Sequence, residues 1–317
     1  MIAFRYHVVS VCAVLLALGL GIVLGASSLS QPVLGALRSD RADLSGQLGT
    51  LRTDRDAARA AQTQSDRALA AAAPALLSGR LADRSVVLLA APDAAPADLD
   101  AVSGLVAQAG GHVTGRLGLT DAALAPDRAD ALRTLVTRVL PAGVQLPSTT
   151  DAGTLAGTLL GSLVTTGRGP SSSPAEVGTA FTALADGGFL APGAAPAPAQ
   201  LALVVTGDGA GPAPDSAGRA STLAHLAGAV HAGGAGTVVA SRAASGEVTA
   251  VRADHGLAGV STVDGIGTTA GRIAAVLAAG EQAHGGVGSY GTAPGAAALP
   301  SPAVGTAGKG AAGAAPA

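Results

Sequence analysis

The chain has 317 residues, 48% of them hydrophobic but only 2% aromatic, with 46 glycines, 13% charged residues and a formal net charge of −2. A core must therefore be built from Ala, Val and Leu, and no basic face is on offer, so a nucleic-acid partner is not expected. The single Cys12 rules out an intramolecular disulfide and a cysteine-based zinc site.

Residues 1–7 form a short head in which Arg5 lies between Phe4 and Tyr6, two rings suited to a membrane interface. In residues 8–26 the only polar side chain besides Cys12 is Ser10. As a helix this stretch spans about 28 Å, against roughly 30 Å of bilayer hydrocarbon. It exceeds the apolar run of about 7–15 residues in a cleaved signal, and Leu24 makes Leu24-Gly25-Ala26 a poor cleavage site. An uncleaved transmembrane anchor in membrane lipid is the expectation. Arg5 on one side is offset by Arg38 and Arg41 on the other, so charge does not orient the helix. A tiny head before a long body places the head in the cytoplasm and the body outside it. Gly21 and Gly25 make a G-x-x-x-G, which lets two helices approach, although glycine is frequent in membrane helices in any case.

Residues 32–73 change to a period of 3.5. Leu34, Leu37, Leu44, Leu48 and Leu51 fall on alternating a and d positions, with Arg41 in the remaining slot. The register continues through Arg55, Ala58, Gln62, Ser65, Leu69 and Ala72 before Pro74 ends the helix. A coiled-coil stalk is expected, with the five leucines as its partner-binding seam. A lone amphipathic spacer is the alternative.

Residues 84–284 alternate buried strands with amphipathic helices. Strands are expected at 85–90, 112–118, 201–205, 237–240 and 260–263, and helices opening at Pro96 and over 132–140, 155–164 and 177–184. Two more helices carry Leu223, Leu226, Ala227 and Val230, and Ile273, Val276 and Leu277. The fold class is α/β, a Rossmann-like or flavodoxin-like three-layer domain with a mostly parallel sheet. Residues 285–317, almost all Gly, Ala and Pro, read as a disordered tail.

Ligands in such sheets sit at the carboxyl ends of the strands. The candidate there is the run Gly207, Asp208, Gly209, Ala210, Gly211, but Pro212 stands where a dinucleotide loop needs its third glycine, and a plain loop is the expectation. Of the six histidines only His225 and His231 share a helix, on different faces. Asp254 and His255 could form half of a triad, with a loop dipeptide the simpler reading. Asp264, ending a strand, could be a ligand or a helix cap, and the cap is preferred. No catalytic motif, no metal site and no cofactor are evident, and enzymatic activity is not expected.

The head Phe4, Arg5, Tyr6, His7 and the anchor's end at 21–25 resemble one actinobacterial family. So do the segments Leu-Pro-Ala-Gly-Val-Gln-Leu-Pro at 140–147, Val-Ser-Thr-Val-Asp at 260–264, and 270–277 with Ser289, Tyr290 and Gly291 behind it. The chain is similar to the MctB-type copper transport proteins, a family that includes SteB-type septation proteins, over about residues 1–300. That resemblance implies copper homeostasis or efflux. It also implies, as the alternative, a scaffold binding a SteA-like membrane protein in cell separation, in place of a homo-oligomer through the stalk.

Overall fold

The computed structural model describes residues 2–167, 172–209 and 215–300, without the side chains of 2–5, 25–38 and 40. Leu34 and Leu37 of the expected seam, the third glycine of the 207–211 run, and residues 301–317 of the expected tail therefore lie outside the described residues. The chain divides into two compact units, residues 1–65 and 66–317.

The first unit is helical, the greater part of helix α1 (Ile2–Leu77). Anchor and stalk were expected as separate elements, yet one helix runs through Pro32 and through Pro74 to Leu77. Each proline removes a single ladder donor, and the turns on either side keep theirs. Within it, Tyr6–Leu24 is long and apolar enough to cross a membrane, and none of it is buried in protein.

The second unit holds a six-stranded sheet. After the end of α1 come β1 (Ser85–Ala90), α2 (Pro96–Gln108) and β2 (His112–Gly118). Four helices then fill one crossover: α3 (Asp121–Leu124), α4 (Ala129–Arg138), α5 (Ala152–Val164) and α6 (Pro174–Asp186). The chain continues as β3 (Leu201–Val205), α7 (Ser216–Ala232), β4 (Gly236–Ser241), α8 (Gly246–Ala253), β5 (Ser261–Asp264), α9 (Thr269–Gln282) and β6 (Ser289–Tyr290). The order is β2-β1-β3-β4-β5-β6 and every strand pair is parallel. The first five strands follow the 2-1-3-4-5 order of flavodoxin-type sheets.

Burial on both faces follows from the period of two along each strand. In β1, Val86 and Leu88 join a core with the end of α1, α2 and α9, whereas Val87 and Leu89 face the core of α3 to α8. In β3, Leu201, Leu203 and Val205 take the first side, and Ala202 and Val204 the second. Leu77 of α1 is fully buried in the first core, and Asp66 accepts the Thr269 N–H at the start of α9 (2.9 Å), where a carboxylate suits the helix dipole.

Two differences from the expected elements have local causes. Helix α8 was not expected, because Val248 and Val251 are its only buried aliphatics. Strand β6 lies inside the segment expected as tail, because Thr262 and Val263 pair with Ser289 and Tyr290. The sheet is wholly, not mostly, parallel.

The tightest helix contact is between α5 and α7. Gly153, Gly157 and Gly161 recur every four residues on the face of α5 toward α7. A Cβ at Gly153 would collide with the Thr222 carbonyl, and one at Gly157 with the Leu226 carbonyl. We expect Gly157→Val to force these helices apart and cost about 3 kcal/mol or more, read by chemical denaturation, while Gly178→Ala, on an open face of α6, costs less than about 0.5 kcal/mol.

Candidate functional site

The switch point of the sheet lies between β1 and β3, whose outgoing chains turn in opposite directions. Its two loops press on each other. Asp93 accepts the Gly209 N–H at 3.1 Å, and a Cβ on Gly207 would strike the Asp93 carbonyl. The glycines of the 207–209 turn thus serve loop-to-loop contact. At the same edge Asp98, in the first turn of α2, is fully buried and held by Arg242 Nε (2.6 Å) and an Arg272 terminal nitrogen (2.8 Å). Burial pushes its carboxyl pKa up, but the two guanidinium groups outweigh that and hold it below the usual carboxylate range. Thr206 Oγ1 and one Glu247 oxygen are also buried here and have no hydrogen-bond partner among the described residues.

Asp264 is not the cap of α9; Thr268 is, accepting from Gly271 N–H. Asp264 is 1% exposed. It takes the Ala293 N–H (3.2 Å), the Thr292 hydroxyl (3.0 Å) and the Arg252 guanidinium (3.0 Å). It fastens the chain after β6. Asp254 and His255 do not act together: Asp254 turns its Oδ1 to the Gly256 N–H (2.8 Å), and His255 is exposed. The imidazole near Asp254 belongs to His225, whose Nε2 lies 3.6 Å from Asp254 and whose Nδ1 lies 3.1 Å from Asp151. His225 thus joins α5, α7 and the end of α8. Both of its nitrogens face carboxylates, which makes this a structural link.

A cavity of about 980 Å³ lies in the crossover between β2 and β3 and against the end of α7. One wall is the 143–147 part of the Leu-Pro-Ala-Gly-Val-Gln-Leu-Pro segment. This loop is held at both ends. Glu176 closes a capping box with Ser173 at the start of α6, and its other oxygen accepts the Ala142 N–H at 3.0 Å. The Ser173 hydroxyl and these N–H groups bring the Glu176 pKa down to about 2. At the far end Arg133 donates to the Thr150 carbonyl at 2.7 Å. Gly143, at φ +82°, permits the turn between them.

The facing wall is a stripe of hydroxyls on α5 and just beyond it: Thr154, Thr158, Ser162 and Thr165. The i, i+4, i+8, i+11 spacing keeps them on one face, about 16 Å long. Sequence reading followed only the apolar period of this helix and missed the stripe, although its spacing is legible. Among the described residues no charged side chain lines the cavity.

Among the described residues no group of three or more His, Cys, Asp or Glu could hold a metal ion. Cys12 is exposed in the apolar part of α1. In the first unit Leu44, Leu48 and Leu51 are 59%, 52% and 63% exposed, so among the described residues these three leucines of the expected seam have no partner.

The chain matches, over residues 1–301, the family model described as "Copper transport outer membrane protein, MctB". It is 37% identical over 309 residues to the copper transporter MctB of Mycobacterium tuberculosis (strain ATCC 25618 / H37Rv), covering 93% of this chain and 98% of that protein. The same figures hold for the copper transporter MctB of Mycobacterium bovis. With that of Mycobacterium leprae the identity is 36% over 323 residues, covering 95% and 100%.

The Asp264 cluster gives a pH test. Burial raises its pKa, but the bonds from Thr292 and Arg252 prevail and leave it depressed. Its stabilisation is therefore complete above the unfolded value of about 4 and drains away as pH falls through the lower folded value. We expect Asp264→Asn to cost about 3 kcal/mol at neutral pH and to flatten the loss of stability below about pH 4, read by urea denaturation across pH.

Proposed function

The chain belongs to the MctB family, and on that premise we propose that it acts in copper transport at the cell envelope, as a membrane-anchored component without enzymatic activity whose body lies outside the cytoplasm. The observation carrying this reading is the extent of the match, which spans apolar helix and body together and reaches 98–100% of relatives named as copper transporters. Membrane association rests on the same match and on Tyr6–Leu24. One spanning helix encloses no channel, and copper(I) favours thiolate and thioether ligands, which in this chain are only Cys12 and Met1. The chain therefore serves copper movement as part of an assembly, with copper as cargo. We expect cells lacking this chain to accumulate more copper under copper load, measured by elemental mass spectrometry, and the intact gene to restore the lower level. Unchanged copper content would remove this reading.

A second reading is favoured by the exposed Leu44, Leu48 and Leu51. They give a membrane-tethered helix a seam for a coiled coil, either with a second copy or with a SteA-like membrane protein in cell separation. In a parallel pair of copies, Asp54 at a g position meets Arg59 at the e′ position five residues on, which favours the second copy. Leu44→Asp with Leu48→Arg should abolish cross-linking between copies in membranes. Cross-linking that persists would exclude the seam.

A further inference from the structure

The cavity between α5 and the 143–147 loop is unused by copper transport as read above, and its chemistry identifies a ligand class. Its hydroxyls have already spent their protons. Thr154 donates to Asp151 (2.7 Å), Thr158 to the Thr154 carbonyl (2.8 Å), Ser162 to the Leu159 carbonyl (2.7 Å) and Thr165 to the Gly161 carbonyl (2.7 Å). What remains for the cavity is oxygen lone pairs, a row of acceptors along one wall. The facing loop offers mainly carbon, from Val144, Leu146 and Pro147, with the Gln145 amide between them.

The nearest carboxylates are engaged elsewhere. Asp151 caps α5 and faces His225, and Glu176 is taken by Ser173 and Ala142. Among the described residues a charged ligand would find no counter-charge on the cavity walls, which disfavours its leaving water. A bare copper ion would meet only hydroxyl and carbonyl oxygens. The volume, about 980 Å³, lies at the upper end of the range of small-molecule sites. The loop is fixed at both ends, so the site is formed before the ligand arrives.

We propose that this cavity binds an uncharged amphiphile, a molecule with several hydroxyl donors directed at the α5 stripe and an apolar part against the 143–147 loop. The chemistry is that of a glycolipid or acylglycerol head with the start of its chain. The site is independent of the copper reading, and either can fail without the other.

Hydrogen exchange of the full chain in lipid nanodiscs tests this, with octyl glucoside below its micelle concentration as the probe and octyl sulfate as the charged control. The expected result is a saturable slowing of exchange confined to 143–147 and 154–166 with octyl glucoside and absent with octyl sulfate. Thr158→Val, which keeps the shape and removes the oxygen, should weaken the apparent affinity at least about tenfold. Ser162→Phe, filling the half-buried rim, should abolish the slowing. Exchange elsewhere in the body reports whether each variant is folded. Absence of slowing, equal slowing by octyl sulfate, or an unchanged response in folded Thr158→Val would overturn the assignment.

Discussion

The chain depends first on where one stretch of α1 can be placed. From Tyr6 to Leu24 its valines, leucines and isoleucine are about half to two-thirds exposed within the protein. Each such side chain gains about 1.5–3 kcal/mol on leaving water. A helix apolar on all sides, with no protein around it, is stable only in lipid. The comparison with α5 is instructive. Ala152–Val164 is also an apolar helix, but it is shorter and its Leu155, Leu159, Leu160 and Leu163 are buried. Protein covers the apolar side chains of one helix, whereas those of the other are left to a membrane.

The second constraint is a core with almost no rings. Large aromatics normally fill the space between helix and sheet. Here the sheet compensates by being buried on both faces, so every residue of β3 contributes to one core or the other. The helices compensate by close approach. Gly153, Gly157 and Gly161 let the backbones of α5 and α7 touch, which gains dispersion contacts that longer side chains would have made. The same helix turns its next face, the hydroxyl stripe, to the cavity. Packing and site are thus two faces of one sequence repeat, offset by a single residue.

Much of this was legible beforehand. Strands β1, β2 and β3 stand where continuous or alternating apolar runs put them, and β1 and β3, covered on both faces, have few polar positions to blur their ends. Element boundaries failed where local signals are weak. Pro32 and Pro74 read as breaks, but a long helix absorbs the loss of one donor. Strand β6 is two residues in a Gly-rich segment, and its partners are set by Asp264 gripping Thr292 and Ala293, a contact no sequence window contains. His225 was weighed only against His231 on its own helix. Its neighbours Asp151 and Asp254 lie 74 and 29 residues away in sequence and come together only through the packing of α5, α7 and α8. The 140–147 segment stood out as a mark of resemblance; that it forms a cavity wall required the structure.

The proposed copper and partner roles presuppose a body held outside the cytoplasm by the apolar helix. The direct measurement is maleimide accessibility in intact cells. With Cys12→Ser removing the native thiol, Ser148→Cys places a single thiol on the exposed loop of the body. A membrane-impermeant maleimide should label it without lysis, in a protein that stays with the membrane fraction. Labelling only after the cells are broken would contradict that placement.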